Sequence, residues 1–234
     1  MCRFVLMIIY LLVLQYGCKK DAQDQQIQKF VSRPDTSMRV VLEFSMTVNQ
    51  KVYQYNSYGD PPQIAIWIEN INSGEIQTVW VTHCAGTNQW RGKVVCPVAL
   101  PYWEYRHGLE KKSSQEEVIN ATTGATPRDG FFTVKTSVLH GSYWNYFIEV
   151  NAAGDYNEYF PYWSSDGMPD SEGNGQPSII YSGSIQAIEN DRNIPELLGR
   201  TDQKQPVTEI ITNMNGIENA RELIRDIQVI SRKY

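Results

Sequence analysis

The chain has 234 residues, 41% hydrophobic and 20% charged, an ordinary balance for a folded globular protein of one large or two small domains. With 21 basic against 26 acidic residues and no Lys/Arg cluster interleaved with aromatics, the footprint of a nucleic-acid-binding protein is missing. Fourteen tyrosines and six tryptophans are many for this length, and such residues either fill cores or form flat surfaces for ligands.

Arg3, the apolar run 4–14 and the break at Gln15-Tyr16-Gly17-Cys18 have the layout of a signal peptide over 1–17. The run is about half of the roughly 20 residues that a helix needs to cross a bilayer. The Gly17-Cys18 step resembles the lipobox of bacterial lipoproteins, although Leu14 lies one place early and Tyr16 stands where a small residue is usual. That resemblance implies a lipid on Cys18 and a protein anchored in the bacterial cell envelope, facing the periplasm or the cell exterior. Residues 19–26 are polar and without periodicity, as expected of a flexible tether over 18–37. Cys2 leaves with the signal and Cys18 takes the lipid, so Cys84 and Cys96 remain; in an oxidising compartment they are expected to pair, stabilising the fold by about 3 kcal/mol.

Residues 38–48 alternate strictly, with Met38, Val40, Leu42, Phe44, Met46 and Val48 on one face of a predicted strand. Ile64, Ile66 and Ile68 repeat the pattern, as do Val79 and Val81, with Asn72-Ser73-Gly74 between them as a hairpin signal. Pro101 and Gly108 bracket Tyr102, Trp103, Tyr105 and Arg106 in a short helix started by proline and stopped by glycine. Strands resume with Phe132, Val134, Thr136 and Val138, then with Trp144, Tyr146, Ile148 and Val150 across His140-Gly141-Ser142, and again over 178–188. Residues 164–175 hold every kind of breaker and read as a surface loop. Asn215-Gly216-Ile217-Glu218 resembles an N-cap with its box glutamate before a two-turn helix bearing Ile217, Ala220, Leu223 and Ile224, and Ile227, Val229 and Ile230 suit a last strand. The expectation is a mostly β protein: an antiparallel Ig-like β-sandwich with two short helices, forming a single domain over 38–234 with a decorated C-terminal part.

Three stretches carry a family resemblance: Ile64-Ala65-Ile66-Trp67-Ile68-Glu69-Asn70, Ala99-Leu100-Pro101-Tyr102-Trp103, and the segment from Asn120 to Gly130. In this order, with the strand up to Glu149-Val150 behind them, they resemble the predicted periplasmic proteins of the domain-of-unknown-function family numbered 2271, over about 38–190. That family is similar in turn to the Ig-like domain of the flagellar hook-capping protein. The resemblance implies a sandwich fold and carries no activity with it, because function lies in sites placed on folds.

Asn120-Ala121-Thr122-Thr123-Gly124-Ala125-Thr126 is similar to the Asp-x-x-Ser/Thr-Gly-Ala-Thr motif of envelope proteins that receive FMN as a phosphoester. The match makes Thr126 the acceptor, with Thr123, Gly124 and Ala125 beside it, and implies an electron carrier. It departs from the pattern at Asn120, which stands for the Asp, and at Pro127; the other reading is a turn that enters the strand at Phe131. Tyr159, Tyr162 and Trp163, beside the polar loop, are candidates for an exposed surface that takes a glycan, a small molecule or an envelope protein. His83, Cys84, Cys96 and His107 are types that ligate zinc or copper, but no C-x-x-C spacing supports it, and no metal is expected. Asp166, Asp170 and Glu172 lack the spacing of a calcium loop, and Asp155 with Glu158 lacks the rest of a glycosidase cleft. No catalytic motif is found, so the reading is a non-enzymatic binding module with no cofactor, FMN on Thr126 being the alternative.

Overall fold

The computed structural model describes residues 38–56, 61–92, 95–113, 122–125, 127–170, 175–202 and 207–234. The expected signal peptide over 1–17, the lipid site expected at Cys18, the expected tether over 18–37, Thr126 as the candidate FMN acceptor, and Glu172 lie outside these residues. The elements in chain order are β1 (Arg39–Val48), α1 (Gln50–Tyr53), β2 (Gln63–Asn70), β3 (Ile76–Thr82), α2 (His83–Thr87), α3 (Pro101–Ser113), β4 (Thr122–Gly124), β5 (Gly130–Leu139), β6 (Tyr143–Asn151), β7 (Ile179–Gln186), β8 (Arg192–Asn193), β9 (Glu196–Arg200), α4 (Ala220–Leu223) and β10 (Ile224–Lys233).

The strands form two sheets, one ordered β5-β1-β10-β8 and the other β4-β3-β2-β6-β7-β9. Pairing is antiparallel except between β3 and β4, so the expected β-sandwich is the fold. The alternation read in β1 is observed, with Val40, Leu42, Phe44, Met46 and Val48 buried between intermediate positions. They meet Ile64, Ile66, Ile68, Tyr146 and Ile148 of the other sheet, with Phe44 edge-on to Tyr146 at 5.8 Å between centroids. Side chains that alternate toward one apolar space from both sheets are what closes a sandwich.

The Asn72-Ser73-Gly74 hairpin forms as its chemistry suggests. The Asn70 Oδ1 accepts from the backbone N–H groups of Asn72 and Ser73, and Gly74 takes φ +71°. The turn at His140-Gly141-Ser142 has another role, because β5 and β6 belong to different sheets and the turn carries the chain from one to the other.

Three expectations need correction. Gly108 does not stop the helix: α3 runs to Ser113, giving four helices among the described residues where two were expected. Its continuation is held by Glu110, whose carboxylate accepts from the Thr78 backbone N–H (2.9 Å) and hydroxyl (2.7 Å) on β3. The C-terminal helix is one turn, since β10 begins at Ile224 to pair with Val48 of β1. Cys84 and Cys96 are not joined by a disulfide: Cys84 lies on α2, whereas Cys96 is buried with Val81, Ala99, Leu100 and Trp103.

β2 is buried on both faces over 63–68, and this sets the architecture around the sites. Its isoleucines face the opposite sheet, while Ala65 and Trp67 face outward into a second cluster closed by α3 and the segment before it. A central strand covered on both sides loses its polar alternation.

Candidate functional site

Two of the sequence-predicted sites are described by the structure, and they differ in how they are built. The first is the aromatic loop after β6. Tyr159 is 58% exposed, Tyr162 39% and Trp163 60%, so all three rings meet solvent. Tyr162 is packed edge-on against both Tyr156 and Trp163, each at 5.1 Å between centroids.

The loop is fixed from beneath by buried polar groups. Asp155 accepts from the Gln176 backbone N–H at 2.9 Å, the Gln176 amide donates to the Asp155 carbonyl at 2.8 Å, and the Glu218 backbone N–H donates to the Gln176 Oε1 at 2.7 Å. Burial pushes the Asp155 carboxyl up to about 8, so it holds its proton at neutral pH. The Asn157 side chain accepts from the backbone N–H groups of Tyr159 and Phe160 and donates to the Gly216 carbonyl at 2.8 Å. Gly216, at φ +79°, is required by this approach: a Cβ there would lie 2.4 Å from that of Tyr159. Farther along, the Asp170 N–H donates to the Tyr162 carbonyl at 2.7 Å and the Ser164 N–H to the Met168 carbonyl at 2.8 Å, which closes the turn that carries Trp163. Serine and backbone donors hold the Asp166 carboxyl below its ordinary value. The carboxylate pair considered at Asp155 and Glu158 does not form a site, since Asp155 is buried against Gln176 and Glu158 is exposed.

The second place is the cleft beside the Thr-Gly-Ala segment. Thr123, Gly124 and Ala125 are not a turn entering β5: the segment pairs as β4 in parallel with β3, Val81 opposite Thr123 and Thr82 opposite Gly124. With His83, Cys84 and Arg128 they line an open cleft of about 480 Å³. Gly124 is demanded by a neighbour within the fold, because a Cβ there would lie 2.6 Å from the Trp80 indole nitrogen. The four candidate metal ligands are not brought together. His83 and Cys84 line this cleft, Cys96 is buried in the second cluster, and the His107 Nδ1 is 2.8 Å from the Glu110 carboxylate; among the described residues no group of three or more ligating side chains occurs.

Sequence reasoning missed the buried polar layer under α3. Glu149 of β6 is fully buried and accepts from the backbone N–H groups of Tyr102 (3.3 Å) and Trp103 (2.6 Å), which lie in the first turn of α3, and from the Ser178 hydroxyl (2.6 Å). A carboxylate there answers donors that the helix itself leaves unpaired. Burial pushes Glu149 up to about 7 against these hydrogen bonds. Beside it, Arg106 holds Glu69 through two hydrogen bonds of 2.7 and 2.6 Å. The available signal was Trp67 and Phe147, large aromatics on the strand faces opposite the alternating isoleucines and Tyr146; they stack at 5.1 Å beneath the helix.

No family model, no curated protein and no solved structure matches this chain, so the family resemblance read from the sequence gains no support from these comparisons.

Proposed function

We propose that this chain is an exported, lipid-anchored bacterial envelope protein whose sandwich is a non-enzymatic binding module, with the loop bearing Tyr159, Tyr162 and Trp163 as its ligand face. One observation carries the reading: three aromatic rings stand in solvent on a loop whose backbone is pinned by buried Asp155 and Gln176 and by half-buried Asn157. Aromatic surface that a fold holds rigid and leaves uncovered supports binding, since little ordering entropy remains to be lost when a ligand arrives. Ring faces with hydroxyl and carboxylate neighbours, here Ser164 and Asp166, suit a glycan, which stacks its C–H faces on rings and hydrogen-bonds at its edges.

The test is retention of the purified protein on envelope polysaccharides, with the Tyr159→Ala/Trp163→Ala double variant beside it. Retention lost in the double variant at an unchanged melting temperature is the expected result. Equal retention by both proteins would remove the loop from the reading. Intact mass of the mature protein tests the anchor: a lipid on Cys18 is expected, whereas an FMN adduct on the peptide containing Thr126 would make the chain an electron carrier.

A further inference from the structure

Strand register fixes which side chains share the outer face of the four-stranded sheet. On β1 the residues that alternate with the buried row are Arg39, Val41, Glu43, Ser45 and Thr47. Leu139, Ser137, Lys135, Thr133 and Phe131 of β5 stand opposite them in that order. On β10, Arg232 stands opposite Val41 and Ile230 opposite Glu43, and Ile230 in turn pairs with Arg192 of β8. Arg39, Lys135, Arg192 and Arg232 are therefore gathered on neighbouring rows of one face, and all four side chains are exposed. Four residues along a strand and four strands across a sheet each span about 14 Å, which is the width of the patch in both directions.

This charge is only partly balanced. The one carboxylate in these rows, Glu43, is shared by Lys135 and Arg232, at 2.9 Å from each. Arg39 donates to the Ser137 hydroxyl and carbonyl, which are neutral, and Arg192 makes no ion pair among the described residues. Lower on the face Arg225 is bonded to Glu222, with Asp226 exposed beside it, so the positive excess belongs to the rows from Arg39 to Glu43. It is local to this face. The chain as a whole is −5, and the residues from Gly141 to Asp191 include no Lys, Arg or His. Apolar side chains flank the cations on β5: Leu139 stands opposite Arg39, and Phe131, 76% exposed, stands opposite Thr47.

A flat sheet face that carries exposed cations between apolar side chains matches an anionic lipid surface in shape and in charge. We propose that this face docks on the anionic phospholipid headgroups of the bilayer that holds the chain. The proposal rests on the anchor at Cys18 and is independent of the aromatic loop. About twenty residues separate that cysteine from Arg39, at most about 70 Å of chain along any path, so the patch is kept at high effective concentration over the headgroups. A single lipid chain holds a protein only reversibly, and a basic patch is the second attachment that makes the hold stable.

The experiment uses the full purified chain mixed with vesicles of phosphatidylcholine alone or with about 30% phosphatidylglycerol, at about 50 mM and about 0.5 M sodium chloride. Flotation reads the anchor, and amine labelling of Lys135, followed by mass spectrometry on the floated protein, reads the face. Labelling is expected to be about tenfold slower on the anionic vesicles at low salt and equal on both at high salt. In Arg39→Gln/Arg192→Gln, whose altered side chains are exposed, it is expected to return to within about twofold of the phosphatidylcholine rate. Flotation with the anionic vesicles alone would refute the anchor and leave the face standing. Flotation with both and equal labelling at low salt would overturn the proposal, as would protection that survives high salt or the double variant. Protection by soluble alginate equal to that by the anionic vesicles would also overturn it, assigning the face to an acidic polysaccharide.

Discussion

On its inner face the six-stranded sheet offers Ile64, Ile66, Ile68, Ile148 and Val150 to the opposite sheet; on its outer face it offers Trp67, Thr78, Phe147 and Glu149 to α3. Both faces are buried, yet they hold their partners differently. The inner contact is apolar and non-directional, so any side chains of the right volume fill it. The outer contact is directional. Three polar groups of the sheet meet named partners on the helix: half-buried Glu69 meets Arg106, buried Thr78 meets Glu110, and buried Glu149 meets the N–H groups of the first turn. Buried polar groups cost little while paired and a great deal when one partner is removed.

That difference is open to a direct test. Glu149→Ala strips the acceptor from three donors, two of them buried, and is expected to destabilise the protein by about 3–5 kcal/mol. Ile66→Ala, on the inner face of the same sheet, leaves a cavity and no orphaned group, for about 2–5 kcal/mol. The two can be told apart by rescue. Glu149→Gln restores an acceptor oxygen and recovers part of the loss in urea unfolding, whereas Ile66→Val recovers most of it by volume alone. Equal losses for Glu149→Ala and Glu149→Gln would show that the outer face is held by packing.

The second effect is on pH. Glu149 titrates at about 7 in the folded protein against an ordinary 4.5, and Asp155 at about 8 against 3.8, both raised by burial. Between those limits the folded carboxyls keep protons that the unfolded chain has released, so stability is fully present below about 4 and falls as pH rises through 7 to 8. At about 1.4 kcal/mol per unit, Glu149 alone accounts for on the order of 3 kcal/mol of that fall. Glu43 and Glu110 act oppositely: their partners Arg232 and Lys135, and His107 and Thr78, hold them below the ordinary value, so their contribution is lost in acid. Urea unfolding across pH 4 to 9 is expected to show stability declining from about pH 4 to about 8 and levelling above that, with a shallower decline in Glu149→Gln. A flat profile between pH 5 and 8 in the parent protein would contradict the burial of both carboxyls.

What the sequence made legible follows the same division. Period-two alternation in 38–48 and 144–150 placed Phe44 and Tyr146 correctly in the inner core, because one face of each strand is apolar there. Strand order was not legible: β10 returns to pair with β1, and nothing local in 224–233 marks a partner nearly two hundred residues away. The outer layer was hidden because its strands carry apolar residues on both faces, a pattern that alternation reads as noise. Of the sites, exposure of Tyr159, Tyr162 and Trp163 agreed with the density of breakers around them. The Thr-Gly-Ala segment looked like a turn because the Trp80 ring that demands Gly124 is more than forty residues away.

Gly108 condenses this lesson into the smallest of the effects. Local rules read a glycine after a proline-started turn as a stop, yet α3 continues through it because Glu110, two positions on, is bound to Thr78 of the sheet. The glycine is not required by its surroundings: its φ is not positive, and a Cβ placed on it would meet nothing within 4 Å. An alanine there loses less backbone entropy on folding and touches no neighbour, so Gly108→Ala is expected to stabilise the protein by about 0.5–1 kcal/mol. Urea unfolding of the single variant would read this as a raised midpoint with an unchanged slope. A lowered midpoint would mean that α3 gives way at Gly108 and that its second half depends on the glycine. The helix would then divide into a turn fastened by Glu149 and a turn fastened by Glu110, and the outer layer would be two attachments joined by a hinge.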